Sequence, residues 1–524
     1  MDLRQAVGQR IMAGFPGTEI DETFAALVRT HKIGNVILFR RNIESREQLT
    51  RLCRELKELI RAETGAEPLI AIDQEGGVVT RLSDDMLNTP GAMALAAAGG
   101  DAPYRAGLLT ARELRSCGVN FNLAPVLDVN SNPANPVIGV RSFGDDPERA
   151  SELALAFMRG TLEGGVMACG KHFPGHGDTA VDSHLGLPLV EKGREELERC
   201  ELPPFRKAIG AGIPAIMTSH VLFPKLEPER LPATMSRRLL TGLLREELGF
   251  GGVIISDCME MDAIAKFYGT VEGAVASIAA GADIVCISHT AALAQETAER
   301  LLAGLEDGSL PKAEFDRSLE RLARAKSGLS QADGLPGATE ADAREVRQML
   351  ERSLTLLYGP MPVLGERPFF VGCGPLRASL VSSHVRETPA FPEYMARALG
   401  GYALVTSDDP EKGEIARAVQ AAAESSCIVL GTCNAHLKAG QLALMEALGA
   451  LGKPMAVAAL RNPYDLLNLP QGAAGIAAWE YTARGLEALA PLLARKRQFT
   501  GVMPLIHSVF DRFHNYERIK QYIL

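Results

Sequence analysis

The chain has 524 residues, 46% of them hydrophobic and 23% charged, and a formal net charge of −9. That length exceeds what one hydrophobic core supports, so more than one domain is expected. The acidic balance, with no run of five or six like charges, argues against a general binder of nucleic acid or of anionic membranes. Nine cysteines are scattered, no C-x-x-C pair occurs, and most sit in apolar runs such as "ADIVCIS". They read as buried free thiols in a reducing, cytoplasmic setting. The opening "MDLRQAVGQRIMAGF" has no long apolar segment and no stretch of 18 apolar residues follows, so neither a signal peptide nor a membrane span is expected.

Along the first two-thirds, short apolar runs alternate with amphipathic helical patterns. The runs are "IGNVILF" (33–39), "PLIAID" (68–73), "NFNLAPVLDV" (120–129), "VMACGKHF" (166–173), "AIMTSHV" (215–221), "GVIISD" (252–257) and "ADIVCIS" (282–288). They are continuous rather than alternating, as parallel strands buried on both faces are. Between them, segments such as "REQLTRLCRELKELIRAET" carry an apolar stripe at helical spacing. The pattern predicts an α/β fold with a (β/α)8-type TIM barrel. Seven strands are legible and the eighth is not, so the barrel is expected to be irregular; an open doubly wound sheet is the alternative. Polar residues repeatedly follow the strands: "AID" leads into "QEGG", "VMACG" into "KHFPGHGD" and "VIIS" into "DCMEMD". In a barrel these strand ends share one face, which would bring Asp73 and Asp257 to one pocket.

"LSQADGLPGATEADAR" (329–344) has the Gly, Pro and small polar residues of a linker. Beyond it a second alternation runs through "RPFFVGC", "YALVTS", "SCIVLGTCN", "PMAVAALRNP" and "GIAAWEY". The expected organisation is a catalytic barrel over 1–330, a linker over 331–348, and a smaller three-layer α/β/α sandwich domain over 349–524. There is no G-x-G-x-x-G and no G-x-x-x-x-G-K-[ST], so nucleotide binding has no motif behind it.

The densest chemistry lies in "KHFPGHGDTAVDSH" (171–184). His172, His176 and Asp178 could ligate a metal, but Lys171 beside them would repel a cation, and the spacing matches no zinc signature. The plainer reading is that His176 and Asp178 fix a glycine-rich loop by hydrogen bonds. In Asp182-Ser183-His184, a carboxylate two residues from an imidazole can fix its tautomer and raise its basicity, which would make a general acid/base near neutral pH.

This loop resembles the signature of the β-N-acetylglucosaminidases of glycoside hydrolase family 3. "AIDQEGGVVTRL" (71–82), "NLAPVLDVNSNP" (122–133), "VIGVRSFG" (137–144) and "VIISDCMEMDAI" (253–264) agree in order and spacing. The similarity covers most of residues 5–330, and the C-terminal region, including "ALRNPYDL" (459–466), resembles the second domain of the two-domain branch. The resemblance implies a retaining exo-β-N-acetylglucosaminidase that needs no metal or organic cofactor. It makes Asp257 the nucleophile, His184 the acid/base and Asp182 its orienting partner. It also assigns Asp73, Arg81, Arg141, Lys171 and His172 to the hydroxyls and N-acetyl group of the sugar. Two of these have structural alternatives: Arg141 could anchor its loop by an ion pair, and Lys171 could be a counter-ion for Asp73 or Asp257. Val78 departs from the pattern, standing where an arginine is common.

The implied partner is a small substrate containing N-acetylglucosamine (GlcNAc), with peptidoglycan fragments of cell-wall recycling as the natural source. Other readings are an N-acetylglucosaminide phosphorylase on the same scaffold, because a histidine acid/base leaves no charge to repel phosphate, a metal-dependent barrel hydrolase, and a noncatalytic carbohydrate-binding protein.

Overall fold

Eight short parallel strands close into a barrel in chain order: β1 (Ile11–Ala13), β2 (Asn35–Leu38), β3 (Leu69–Ile72), β4 (Phe121–Asn122), β5 (Met167–Phe173), β6 (Ala215–Thr218), β7 (Val253–Cys258) and β8 (Ile284–Ile287). The computed structural model describes residues 2–180, 186–327, 329, 337–375 and 388–505. Asp182 and His184 lie outside the described residues.

The strand that sequence reading leaves out is β1. Only three residues long, between Arg10 and Gly14, it is too short to register as a run. It nevertheless pairs with both β2 and β8 and closes the ring. The expected irregularity is therefore absent from the strand order. Alternate side chains, among them Met12, Ile37, Leu69, Phe121, Met167, Ala215, Val253 and Ile284, fill the interior. Leu322, on the helix Lys312–Ser327, belongs to the same cluster and plugs the N-terminal end of the barrel.

The surrounding helices obey local rules. Arg46–Thr64 starts where Ser45 caps the backbone N–H of Gln48 at 3.2 Å and stops at Gly65, whose φ of +69° suits a residue without Cβ. Leu49, Leu52, Leu56 and Ile60 form its buried stripe, each at most 1% exposed. Such side chains contribute about 1.5–3 kcal/mol apiece.

The second domain is a six-stranded sheet in the order β11 (Tyr402–Thr406), β10 (Pro368–Cys373), β12 (Cys427–Thr432), β13 (Met455–Ala459), β14 (Ala474–Ala477), β9 (Thr355–Tyr358). All pairs are parallel except β14 with β9. Helices cover both faces, so the layers are α/β/α. The helix Glu340–Ser353 runs through the junction between the two units, and its Glu345 makes a two-pronged ion pair with Arg105 of the barrel at 2.7 Å.

The domains share a core: Met93, Ala94, Ala97 and Val140 of the barrel pack with Phe369, Leu430, Val457, Tyr464 and Trp479. Val78 packs against the same cluster, so an apolar residue at this position joins the two domains. No helix among the described residues is long and apolar enough to cross a membrane. All nine cysteines are free, and seven are buried.

Candidate active site

The charged residues after β3, β5 and β7 meet at the C-terminal face of the barrel. Asp73 leaves the end of β3, and a tight turn follows in which the N–H groups of Glu75 and Gly76 both donate to the Val79 carbonyl, at 3.1 and 3.0 Å. Gly76 and Gly77 both have positive φ, and a Cβ on either would lie 2.5 or 2.6 Å from the Pro90 and Gly91 backbone. Only glycine lets the chain double back this closely. The turn returns Arg81 to within 3.8 Å of Asp73, and the Gln74 side chain accepts from the Arg81 N–H at 2.8 Å to hold it there.

Lys171, near the end of β5, is fully buried and donates to Asp73 Oδ1 and to Glu75 Oε1, both at 2.7 Å. Arg141 Nε and Nη2 donate to the two oxygens of Glu75 at 2.9 and 2.8 Å. Both structural alternatives raised from sequence thus exist as contacts: Arg141 anchors its loop by an ion pair, and Lys171 is a counter-ion for Asp73. Burial alone would push Glu75 up; Arg141 and Lys171 outweigh it and hold the carboxyl far below its usual range. Burial would likewise lower Lys171, and Asp73 and Glu75 reverse the direction.

A second carboxylate organises the histidine loop. Asp128 is 2% exposed and accepts from His172 Nδ1 at 2.7 Å, from the His176 N–H at 2.7 Å and from the His172 N–H at 3.2 Å. The remaining nitrogen of His172, Nε2, lies 3.5 Å from Arg141 Nη2. His176 bonds Thr179 through Nδ1 at 2.9 Å, and Asp178 pairs with Lys192 at 3.2 Å. Burial, reinforced by the neighbouring His172, pushes His176 down to about 4, so it is a neutral hydrogen-bonding group at neutral pH. His176 and Asp178 behave as loop-fixing residues. No set of three His, Cys, Asp or Glu side chains placed to hold a metal occurs among the described residues.

Asp257 lies near the end of β7. It is partly exposed, and its Oδ1 accepts from the Cys258 N–H at 2.7 Å. His220 Nε2 lies 2.9 Å from the Cys258 carbonyl, which ties the strand end to the loop after β6. Burial pushes the Cys169 and Cys286 thiols up, and both sense Asp73 and Asp257 together. Asp73 follows β3 and Asp257 lies near the C-terminal end of β7, so both stand at the same mouth of the barrel.

Glu75 and Asp128 are the residues that sequence reading misses. Each stands inside a quoted motif, Glu75 two positions after Asp73 and Asp128 in "APVLDV", but their partners are distant in sequence. The second domain supplies further support. Asn462 accepts from the Val140 N–H at 3.0 Å, and Tyr464 OH receives the Asn130 amide at 2.6 Å. The turn that carries Arg141 is thus gripped from the second domain.

The strand-end crown of buried cations and carboxylates, with the partly exposed Asp257 at the same face, lies where (β/α)8-barrel enzymes carry their sites. Residues 2–325 match the family model described as glycosyl hydrolase family 3 N terminal domain, and the chain belongs to that family. A solved β-N-acetylglucosaminidase of the same family from Paenibacillus sp. str. FPU-7 is 39% identical with a TM-score of 0.89, over 97% of this chain and 99% of that one. Beta-hexosaminidase A of Pseudoalteromonas piscicida is 36% identical over 338 residues, 60% of this chain and 56% of that protein. The chain thus spans little more than half of that relative. A beta-hexosaminidase of Thiobacillus denitrificans is 38% identical over 298 residues, 56% of this chain and 81% of its own length. These relatives are named as beta-hexosaminidases or as a β-N-acetylglucosaminidase.

Proposed function

We propose that the protein is a retaining exo-β-N-acetylglucosaminidase that releases terminal GlcNAc from β-linked substrates in the cytoplasm, with peptidoglycan fragments as the source. The observation that carries this reading is the placement of Asp257: an accessible carboxylate at a strand end, beside a buried charged network. Asp257 attacks the anomeric carbon while His184 protonates the leaving oxygen, through an oxocarbenium-like transition state. Water activated by His184 then releases the sugar with its β configuration. Asp182 orients His184 and raises its basicity.

Asp73, Arg81, Lys171, Arg141 and His172 bind the sugar. Asp73 meets Lys171 with one oxygen and Arg81 with the other, and a carboxyl group offers several acceptor positions to sugar hydroxyls. Glu75 and Asp128 act behind them, as positioning residues for Arg141, Lys171 and His172. The relatives that match are named for hexosaminidase or β-N-acetylglucosaminidase activity, which supports the GlcNAc specificity.

The test is turnover of an aryl β-N-acetylglucosaminide against the matching β-glucoside, with NMR of the first-formed anomer. Preference for the N-acetyl sugar and initial release of the β anomer are expected. Release of the α anomer, or equal turnover of the two, overturns the reading.

A further inference from the structure

At the N-terminal ends of the barrel strands, opposite the catalytic face, Arg10, Arg237, Arg245, Arg317 and Arg321 line a cleft of about 240 Å3. That is the liquid volume of about eight waters. Three carboxylates face these five guanidinium groups. Asp283 is fully buried and is held by Arg245 and Arg321, by the Ser318 hydroxyl at 2.6 Å and by the Ile254 N–H at 2.7 Å. Glu314 is paired with Arg237 at 2.6 Å and lies 4.0 Å from Arg317, and Glu246 lines the wall. Five cations against three anions leave a formal charge of +2 around the cleft.

Arg10 sharpens the imbalance. It is 2% exposed, and its guanidinium lies 4.3 Å from the Phe315 ring centre. Nε donates to the Asp283 carbonyl at 2.6 Å and Nη2 to the Ala282 carbonyl at 2.5 Å. Its Nη1 is buried and has no hydrogen-bond partner among the described residues. Burial brings both Arg10 and Arg245 down to about 10, and Arg321 adds to the effect against the pull of Asp283.

We propose that this cleft is a binding site for a phosphate dianion, free or as the monoester of a small polar molecule. A dianion cancels the surplus of two charges. It gives Arg10 Nη1 an acceptor, and it suits guanidinium groups, which bind phosphate through paired N–H bonds. A monoanionic carboxylate leaves half the surplus in place. Ile254, whose N–H meets Asp283, stands three strand steps before Asp257, so about 10 Å of β7 separates this floor from the chemistry. The ligand takes no part in bond cleavage. It crosslinks the turn before β1, the helix Lys312–Ser327 and the segment that precedes β7.

The test is thermal unfolding of the full chain in inorganic phosphate and in chloride at matched ionic strength, with a hexose 6-phosphate as a second arm. A saturable rise in Tm with phosphate, absent with chloride, is expected. Arg10→Met should weaken the apparent affinity at least tenfold. Arg317→Gln removes an exposed side chain without touching Asp283 and should weaken it too, which keeps the test valid if the Arg10 variant folds poorly. Whichever of the two phosphate ligands saturates at lower concentration identifies the source. Identical shifts in phosphate and chloride, or an unchanged affinity in Arg317→Gln and in any folded Arg10→Met protein, overturn the proposal.

Discussion

Glu75 holds Arg141 in a two-pronged ion pair, at 2.8 and 2.9 Å, and accepts the Lys171 ammonium on one of the same oxygens at 2.7 Å. One buried carboxylate thereby sets the position of two cations that come from different parts of the chain.

Glu75→Gln should cost about 3–5 kcal/mol of stability, the usual penalty for removing one member of a buried ion pair and stranding the other. The folded-state pKa of Glu75 is depressed, so its contribution is complete above the unfolded value and is lost as pH falls. Chemical denaturation should show the gap between variant and wild type at neutral pH and a narrowing below about pH 4. A gap that stays constant down to pH 3 would contradict the ion-pair account.

Asp257→Asn should reduce turnover by several orders of magnitude while sugar binding persists, because the amide keeps the shape and is a poor nucleophile. A fluorinated sugar that traps glycosyl-enzyme intermediates should label Asp257 of the wild type, as read by peptide mass spectrometry. A label on another residue removes Asp257 from the nucleophile's role.

His184→Ala should lose little in the glycosylation of a nitrophenyl glycoside and much on a disaccharide, since a nitrophenolate departs without protonation. Asp182→Asn should lower kcat within the roughly 10²–10⁴-fold range of general acid–base catalysis. Azide should rescue deglycosylation of the alanine variant. Equal losses on both substrates, without accumulation of an intermediate, argue against the acid/base assignment.

Lys326 is buried at the barrel floor, where its ammonium donates to Gln9 Oε1 at 2.6 Å and to the Gly34 carbonyl at 3.2 Å. Burial pushes it down to about 7. The folded state resists protonation that the unfolded chain accepts, so this burden is full below about pH 7 and fades as pH rises toward about 10.4. Lys326→Met should stabilise the fold more at pH 6 than at pH 9, by on the order of a few kcal/mol at the acid end, as read by chemical denaturation at the two pH values. A gain independent of pH would show that packing alone is responsible.

Strands β2 to β8 are legible because each lies within a continuous apolar run that both faces bury. β1 is hidden by its length of three residues, and β9 by its half-exposed pattern at an antiparallel edge. The run at 120–129 overstates β4, which is a regular strand only at Phe121 and Asn122; Pro125 then removes a ladder donor, and an isolated bridge of Val126 with Lys171 follows. Strand-end logic was enough to bring Asp73, Lys171 and Asp257 to one face. It could not find Asp128 or Glu75, because a carboxylate's importance here comes from partners 44 and 66 residues away. Periodicity carries no information about such pairings.

The contact between Asn462 and the turn at Gly139 makes the two domains poor candidates for free exchange. Gly139 has φ +45°, and a Cβ there would lie 2.4 Å from Asn462 Oδ1, the same atom that accepts from Val140. A chimaera that takes its second domain from a relative must therefore bring a side chain compatible with the recipient's turn. A larger residue on either side of that seam would displace the turn that carries Arg141. Recombination between relatives is thus constrained at positions 139 and 462 as a linked pair, whatever the sequence identity elsewhere.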